Sequence, residues 1–245
     1  MAKYVLTDCK IYVDDYNISG DSNSGTLELT TPALDASTFS SVTARTKIPG
    51  LSEMKASIGV LYDATTAYIP DDEIDTWKGG MTAKVVTICP TTGATGEVAY
   101  SFKGLGASYS QGGSVGEVKK GTWNIEGGGG TGPAVRGNVI SNVLAGVTGN
   151  GNGTSYEYGL LGTGHTLYSI VHLYSIDGGS LFVNIYSDDH AGMTSSTIRI
   201  TGGELDETTT VWQTLAGPVA TDTWWRSVYT YDGTLAKFVH VMAIV

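Results

Sequence analysis

The chain is a succession of short runs in which apolar and β-branched residues alternate with polar ones at a period of two, the pattern of half-buried strands. Such runs cover 4–13, 26–31, 54–62, 83–89, 97–102, 123–125, 167–176, 181–186, 197–201, 210–214, 224–231 and 237–245. Clusters of Gly, Asn, Asp and Pro separate them. Within 181–186 the alternation predicts Leu181, Val183 and Ile185 on one face and Phe182, Asn184 and Tyr186 on the other. Asp177-Gly178-Gly179 and Asp232-Gly233 carry the chemistry of hairpin turns, so the last third reads as an antiparallel meander. The pattern as a whole predicts an all-β chain, an antiparallel sandwich or barrel.

One short flanking helix is expected over 70–79. Its first turn holds Asp71, Asp72 and Glu73, Ile74 and Trp77 share a face, and Gly79 stops it behind Lys78. The stretch 133–144 has Val135, Val139, Ile140, Val143 and Leu144 at helical spacing, but Gly137, Asn138 and Asn142 favour a strand equally, and the pattern leaves both open. Glycine-rich segments near 127–132 and 149–153 read as exposed loops, or as segments that order only against another subunit.

Composition narrows the function classes. The chain has 245 residues, 34 of them Gly, with 41% hydrophobic and 16% charged positions, which excludes a disordered polymer. At 245 residues one large β domain is as reasonable as two small ones, and a single β domain over 1–245 is the expectation. Twenty-four acidic and 14 basic side chains leave a formal charge of -10, which excludes a basic nucleic-acid clamp. No apolar stretch approaches the roughly 20 residues of a membrane-spanning helix. The N-terminal apolar run is too short for a signal peptide, so the chain is expected to fold in the compartment where it is made.

The residues nominate no catalytic constellation. His165, His172, His190 and His240 show no metal spacing, and His172 and His240 alternate within strands, which makes them core or face residues. Asp188-Asp189-His190 could serve acid–base or cation chemistry, but adjacent acids with a Gly two residues later are ordinary turn chemistry. Cys9 and Cys89 lack a C-x-x-C spacing and are expected to be reduced. Neither catalysis nor a metal or cofactor is therefore expected. Trp224-Trp225-Arg226 is the remaining feature: adjacent strand residues point to opposite faces, so one Trp belongs to the core and the other, with Arg226, to an interface.

The chain also resembles a known family. Residues Val13-Asp14-Asp15-Tyr16-Asn17-Ile18-Ser19-Gly20, Leu34-Asp35-Ala36-Ser37-Thr38-Phe39, Arg45-Thr46-Lys47-Ile48-Pro49-Gly50-Leu51 and Ser57-Ile58-Gly59-Val60-Leu61-Tyr62-Asp63, in this order, resemble blocks of the tail tube (major tail) proteins of long-tailed bacteriophages. Later blocks agree: Leu167-Tyr168-Ser169-Ile170-Val171-His172, Gly217-Pro218-Val219-Ala220-Thr221-Asp222 and Phe238-Val239-His240-Val241-Met242. The resemblance implies a β sandwich or barrel of the tail-tube type, assembled into rings of six that stack into a hollow tube, in the virion, after assembly in the host cytoplasm. Implied partners are further copies of the chain, a tape-measure protein and tail-terminator or baseplate proteins, with phage DNA only passing through the lumen. Arg45, Pro49, Gly50 and Leu51 match the family pattern and, with Trp225 and Arg226, are the subunit-interface candidates. A module binding carbohydrate or a host surface, or decorating a tail, is the alternative that the aromatic pair and the Ser/Thr-rich surface suggest.

Overall fold

The computed structural model describes residues 8–31, 33–35, 47–49, 53–61, 83–127, 133–219 and 221–245. The described residues are all-β and antiparallel, in eighteen strands and no helix. The helix expected over 70–79 lies outside them, as do the glycines at 128–132. The sequence reads as one domain. The contacts group it into two compact units, one of residues 1–20, 85–101 and 135–245, the other of residues 21–84 and 102–134.

In unit 1 one sheet takes β1 (Lys10–Val13), β2 (Tyr16–Asn17), β7 (Lys84–Cys89), the first residues of β8 (Val98–Gly112), β10 (Val135–Asn142), β13 (Thr166–Asp177), β16 (Thr209–Ala216) and β18 (Leu235–Ile244). Their order is β16-β13-β18-β10-β8-β7-β1-β2. This sheet curls until its ends meet: Tyr12 of β1 stacks on His172 of β13 at 5.7 Å, and Thr208, beside β16, donates to Asp15 at 3.0 Å. Tyr12, Val85, Ala99, Val139, Ile170 and Val241 fill the concave side.

A second sheet has β11 (Gly151–Asn152), β12 (Tyr156–Glu157), β14 (Leu181–Asp188), β15 (Thr197–Ile200) and β17 (Trp224–Tyr231), with β17 paired to β11, β12 and β14. It covers the convex side of the first. Leu167, Val171, Phe238 and Met242 pack there against Leu181, Val183, Ile185 and Trp225. β13 and β18 are thus buried on both faces, which is why they read as near-continuous apolar runs. The stretch 133–144 is settled as strand β10, because its backbone is needed between β8 and β18.

Two expectations are corrected. The turns at 177–179 and 232–233 do not close hairpins: β13 and β18 belong to the first sheet, β14 and β17 to the second, so each turn carries the chain from one sheet to the other. Gly178 and Gly179 adopt positive φ there, and the Tyr231 hydroxyl ties both arches together through Asp177 O (3.0 Å), Gly178 O (2.9 Å) and Leu235 N (3.0 Å). Nor is 149–153 merely an exposed loop, since Gly151–Asn152 pairs with β17 and Gly153 N donates to Ser227 O at 2.8 Å. A Cβ on Gly153 would lie 2.3 Å from Ile140 O, so this glycine serves close approach.

Unit 2 is built on a sheet in the order β3-β6-β9-β8, from β3 (Ser22–Thr30), β6 (Glu53–Leu61), β9 (Lys120–Gly127) and the later part of β8; β4 (Ala33–Asp35) pairs with β5 (Lys47–Pro49). Alternation is strict: Met54, Ala56, Ile58, Val60, Trp123 and Ile125 are buried, while Lys55, Ser57, Asn124 and Glu126 occupy the other face.

Candidate functional site

The tail-tube blocks direct attention to residues 45–51. Arg45, Gly50 and Leu51 lie outside the described residues. Pro49 ends β5, opposite Ala33 of β4. The aromatic pair is fully described. Trp225, named as an interface candidate, is 0% exposed: its ring packs with Ile140, Leu167, Ile185 and Met242, and its Nε1–H donates to Gly159 O at 3.0 Å. The surface member is Trp224. Register decides this, since Trp225 is opposite Ser187 on the inward side of β14, and Trp224 is opposite Asp188 on the outward side.

The outer face of the second sheet departs from the usual solvated sheet face, on which polar residues alternate with the core. Phe182, Asn184 and Tyr186 of β14 and Trp224, Arg226 and Val228 of β17 all point outward and are half-buried. Tyr186 is directly opposite Arg226, Asn184 opposite Val228, and Glu157 of β12 is opposite Trp224. The Asn184 Oδ1 accepts from Gly202 N at 2.8 Å, which fixes the amide and leaves its NH2 unused. Arg226 makes no ion pair among the described residues, and its Nε is closed off from water without an acceptor. Sequence reasoning singled out Arg226 but chose Trp225 rather than Trp224, and it did not join Phe182, Asn184 and Tyr186 to them, because only the strand register brings the two segments together.

The outer face of unit 2 is different in kind. Cross-strand rows place Thr26, Ser57, Asn124 and Ser108 side by side, and next to them Glu28, Lys55 and Glu126. A shallow groove of about 250 Å³ lies over these residues. Its cation is engaged: Lys55 Nζ is 3.2 Å from Glu126 and 3.5 Å from Glu53, hydrogen bonding and charge that raise the Lys55 pKa. At β3 the sheet ends among the described residues. There the apolar side runs out to Leu29, opposite Met54 but 62% exposed. A strand with no second strand partner among the described residues and with an apolar flank is a template for pairing with another chain.

The acidic residues Asp188 and Asp222 are held by hydrogen bonds within the fold. Asp188 is buried; burial pushes its carboxyl pKa up, but N–H groups of the turn, that of Ser195 at 2.9 Å among them, hold it below the ordinary value. His190 is exposed beside Asp189 at 3.7 Å. Asp222 is likewise pushed up by burial and held low by Arg199 (2.7 Å), Ser187 and Thr221 (2.9 Å), so both carboxylate oxygens are engaged.

Both strand histidines are fully buried. His172 Nδ1 donates to Asp14 O at 2.6 Å, which fixes the tautomer, so Nε2 accepts from Thr87 Oγ1 at 2.7 Å. His240 lies between Ser169 and Ser227, each at 2.8 Å. Burial lowers their pKa values to about 4 and about 3. Burial also raises Cys89 to about 12, an unreactive thiol. Among the described residues no three His, Cys, Asp or Glu side chains are placed to hold a metal ion, and no helix is long and apolar enough to cross a membrane.

No protein-family model and no curated protein matches the sequence. Solved structures of related shape come from tail-like particles. A chain from the virion of a native gene transfer agent is 11% identical, with a TM-score of 0.43 over 54% of this chain and 97% of that one. A chain from the sheath/tube terminator of the PVC extracellular contractile injection system is 14% identical, with a TM-score of 0.44 over 56% and 97%. The Dit protein of phage SPP1, described as a hub of the adsorption apparatus, is 11% identical, with a TM-score of 0.37 over 97% and 99%. Likeness at these values carries no argument about role.

Proposed function

We propose that this chain is a structural subunit of a phage-type tail, a tube protein that associates with copies of itself into stacked rings and performs no catalysis. The observation that carries the reading is strand β3, whose one strand partner among the described residues is β6 and whose apolar flank ends at exposed Leu29. Such an edge is a liability in a monomer and an asset in an assembly, where strand addition supplies the missing hydrogen bonds. The sequence blocks quoted above support the same reading. In a head-to-tail arrangement of this kind, contacts along the axis need not close, and polymerisation follows. Tape-measure and terminator or baseplate proteins are the expected partners, in a virion assembled in the host cytoplasm.

The outer face of unit 2 suits a conduit. Hydroxyls and amides dominate it, and Lys55 is tied to Glu53 and Glu126, so it offers a passing polyanion little of the counterion release that makes DNA adhere. Negative-stain electron microscopy of the concentrated protein, with light scattering on the same sample, tests the reading. Rings or hollow tubes are expected. A strictly monomeric protein that also fails to form tubes with the phage's other tail proteins sinks it.

A further inference from the structure

The geometry points to a saccharide-binding platform on the outer face of the second sheet of unit 1, formed by Phe182, Tyr186 and Trp224 with Arg226 and Asn184 between them. This site is separate from the assembly reading and stands or falls without it.

The first ground is a contrast within the chain. Both units present one outward sheet face; that of unit 2 carries Thr, Ser, Asn, Lys and Glu, whereas that of unit 1 places three aromatic rings where solvation would select polar residues. All three rings are half-buried rather than projecting. Phe182 and Tyr186 lie four residues apart on β14, about 14 Å along the strand, with Trp224 diagonal to Tyr186. An extended platform of this length fits an oligosaccharide better than a monosaccharide, with apolar C–H faces of sugar rings laid against the aromatics.

The second ground is unused hydrogen-bonding capacity. Arg226 has no carboxylate partner among the described residues, and with its Nε closed off from water the terminal guanidinium nitrogens are the donors that it presents. Asn184 is locked through its oxygen by Gly202 N, which leaves two amide N–H donors. The platform therefore offers planar donors from a guanidinium and an amide between aromatic rings, with the Glu157 carboxylate as an acceptor beside Trp224. Ring and hydroxyl oxygens of a sugar match this arrangement, because each hydroxyl both accepts and donates. A protein partner would use the rings as hot spots, but would meet Arg226 and Asn184 with fixed acceptors rather than adaptable hydroxyls.

The test uses the purified full-length chain on a glycan array of defined neutral and uronic-acid-containing oligosaccharides. The best binder is then titrated by tryptophan fluorescence and calorimetry. Binding to at least one oligosaccharide is expected, weakened at least tenfold in Trp224→Ala and in Arg226→Ala, and less in Arg226→Lys, which keeps the charge but loses the planar fork. Asn152→Ala, at the far end of the sheet, serves as the control and should bind as wild type. Unchanged thermal melts in the variants show that the core is intact. No binding to any oligosaccharide overturns the proposal, as does binding that survives both alanine variants. Variants that abolish tube formation while leaving glycan binding untouched would make this face a subunit contact, and would also overturn it. Failure of the wild type to form tubes bears only on the assembly reading.

Discussion

Strands β13 and β18 of unit 1 and strand β3 of unit 2 show two opposite ways of using a β-strand. β13 and β18 are flanked by strands on both edges and covered on both faces, so nearly every side chain from Leu167 to Leu173 and from Phe238 to Ala243 is buried. β3 has one partner, β6, among the described residues, and leaves its apolar side unfinished at Leu29. The first arrangement completes a core within one chain. In the assembly reading, the second is completed by another chain, which supplies main-chain hydrogen bonds and covers apolar area.

If unit 1 is self-sufficient, its largest sensitivity lies between its two sheets. Trp225→Ala removes a fully buried ring and its hydrogen bond to Gly159, and should cost about 3–5 kcal/mol in denaturant unfolding. A loss below about 1 kcal/mol would mean that the sheets are not packed as described.

Acid should act on the same core through its histidines. Above pH 6.5 both are neutral in the folded and unfolded chain, and stability is complete. As the pH falls, the unfolded chain takes up protons near 6.5, whereas His172 waits until about 4 and His240 until about 3, so stability is lost progressively between pH 6.5 and 3. The integrated loss is on the order of 3 kcal/mol for His172 and 5 kcal/mol for His240. In His240→Gln the pH dependence of unfolding over this window should lose about one proton; an unchanged slope would show that His240 does not contribute.

Gly153→Ala probes the close approach of backbones, because the new Cβ would meet Ile140 O at 2.3 Å. A loss of about 2 kcal/mol is expected, read from the shift in urea midpoint. Leu29→Lys sharpens the contrast from the other side. Its monomer should change by less than about 0.5 kcal/mol, since the side chain is 62% exposed, yet ring or tube formation should fail. Loss of monomer stability with assembly intact would reverse the assignment of β3.

The same contrast explains what was legible in the sequence. β13 and β18 were readable because burial on both faces writes a continuous apolar run, and β14 because one buried face writes a strict alternation. Turn chemistry at Asp177-Gly178-Gly179 announces a reversal, but not which sheet the returning strand joins, so a change of sheet was read as a hairpin. β11 and β12 are two residues each and have no period to detect. β3 begins at Ser22, four residues before its apolar alternation, because pairing with β6 overrides the weak strand preference of Ser, Asn and Gly. The surface of unit 1 was legible only as Trp224-Trp225-Arg226. Which Trp faces outward, and that Tyr186 and Asn184 stand beside Arg226, depends on the register between β14 and β17, which neither segment specifies alone.

Hydrogen–deuterium exchange, compared between monomer and assembled tube, tests the central claim most directly. The account predicts that amides of β13 and β18 are strongly protected in both states, and that those of β3 exchange readily in the monomer and become protected on assembly. Protection of β3 already complete in the monomer, or unchanged in the tube, would contradict it.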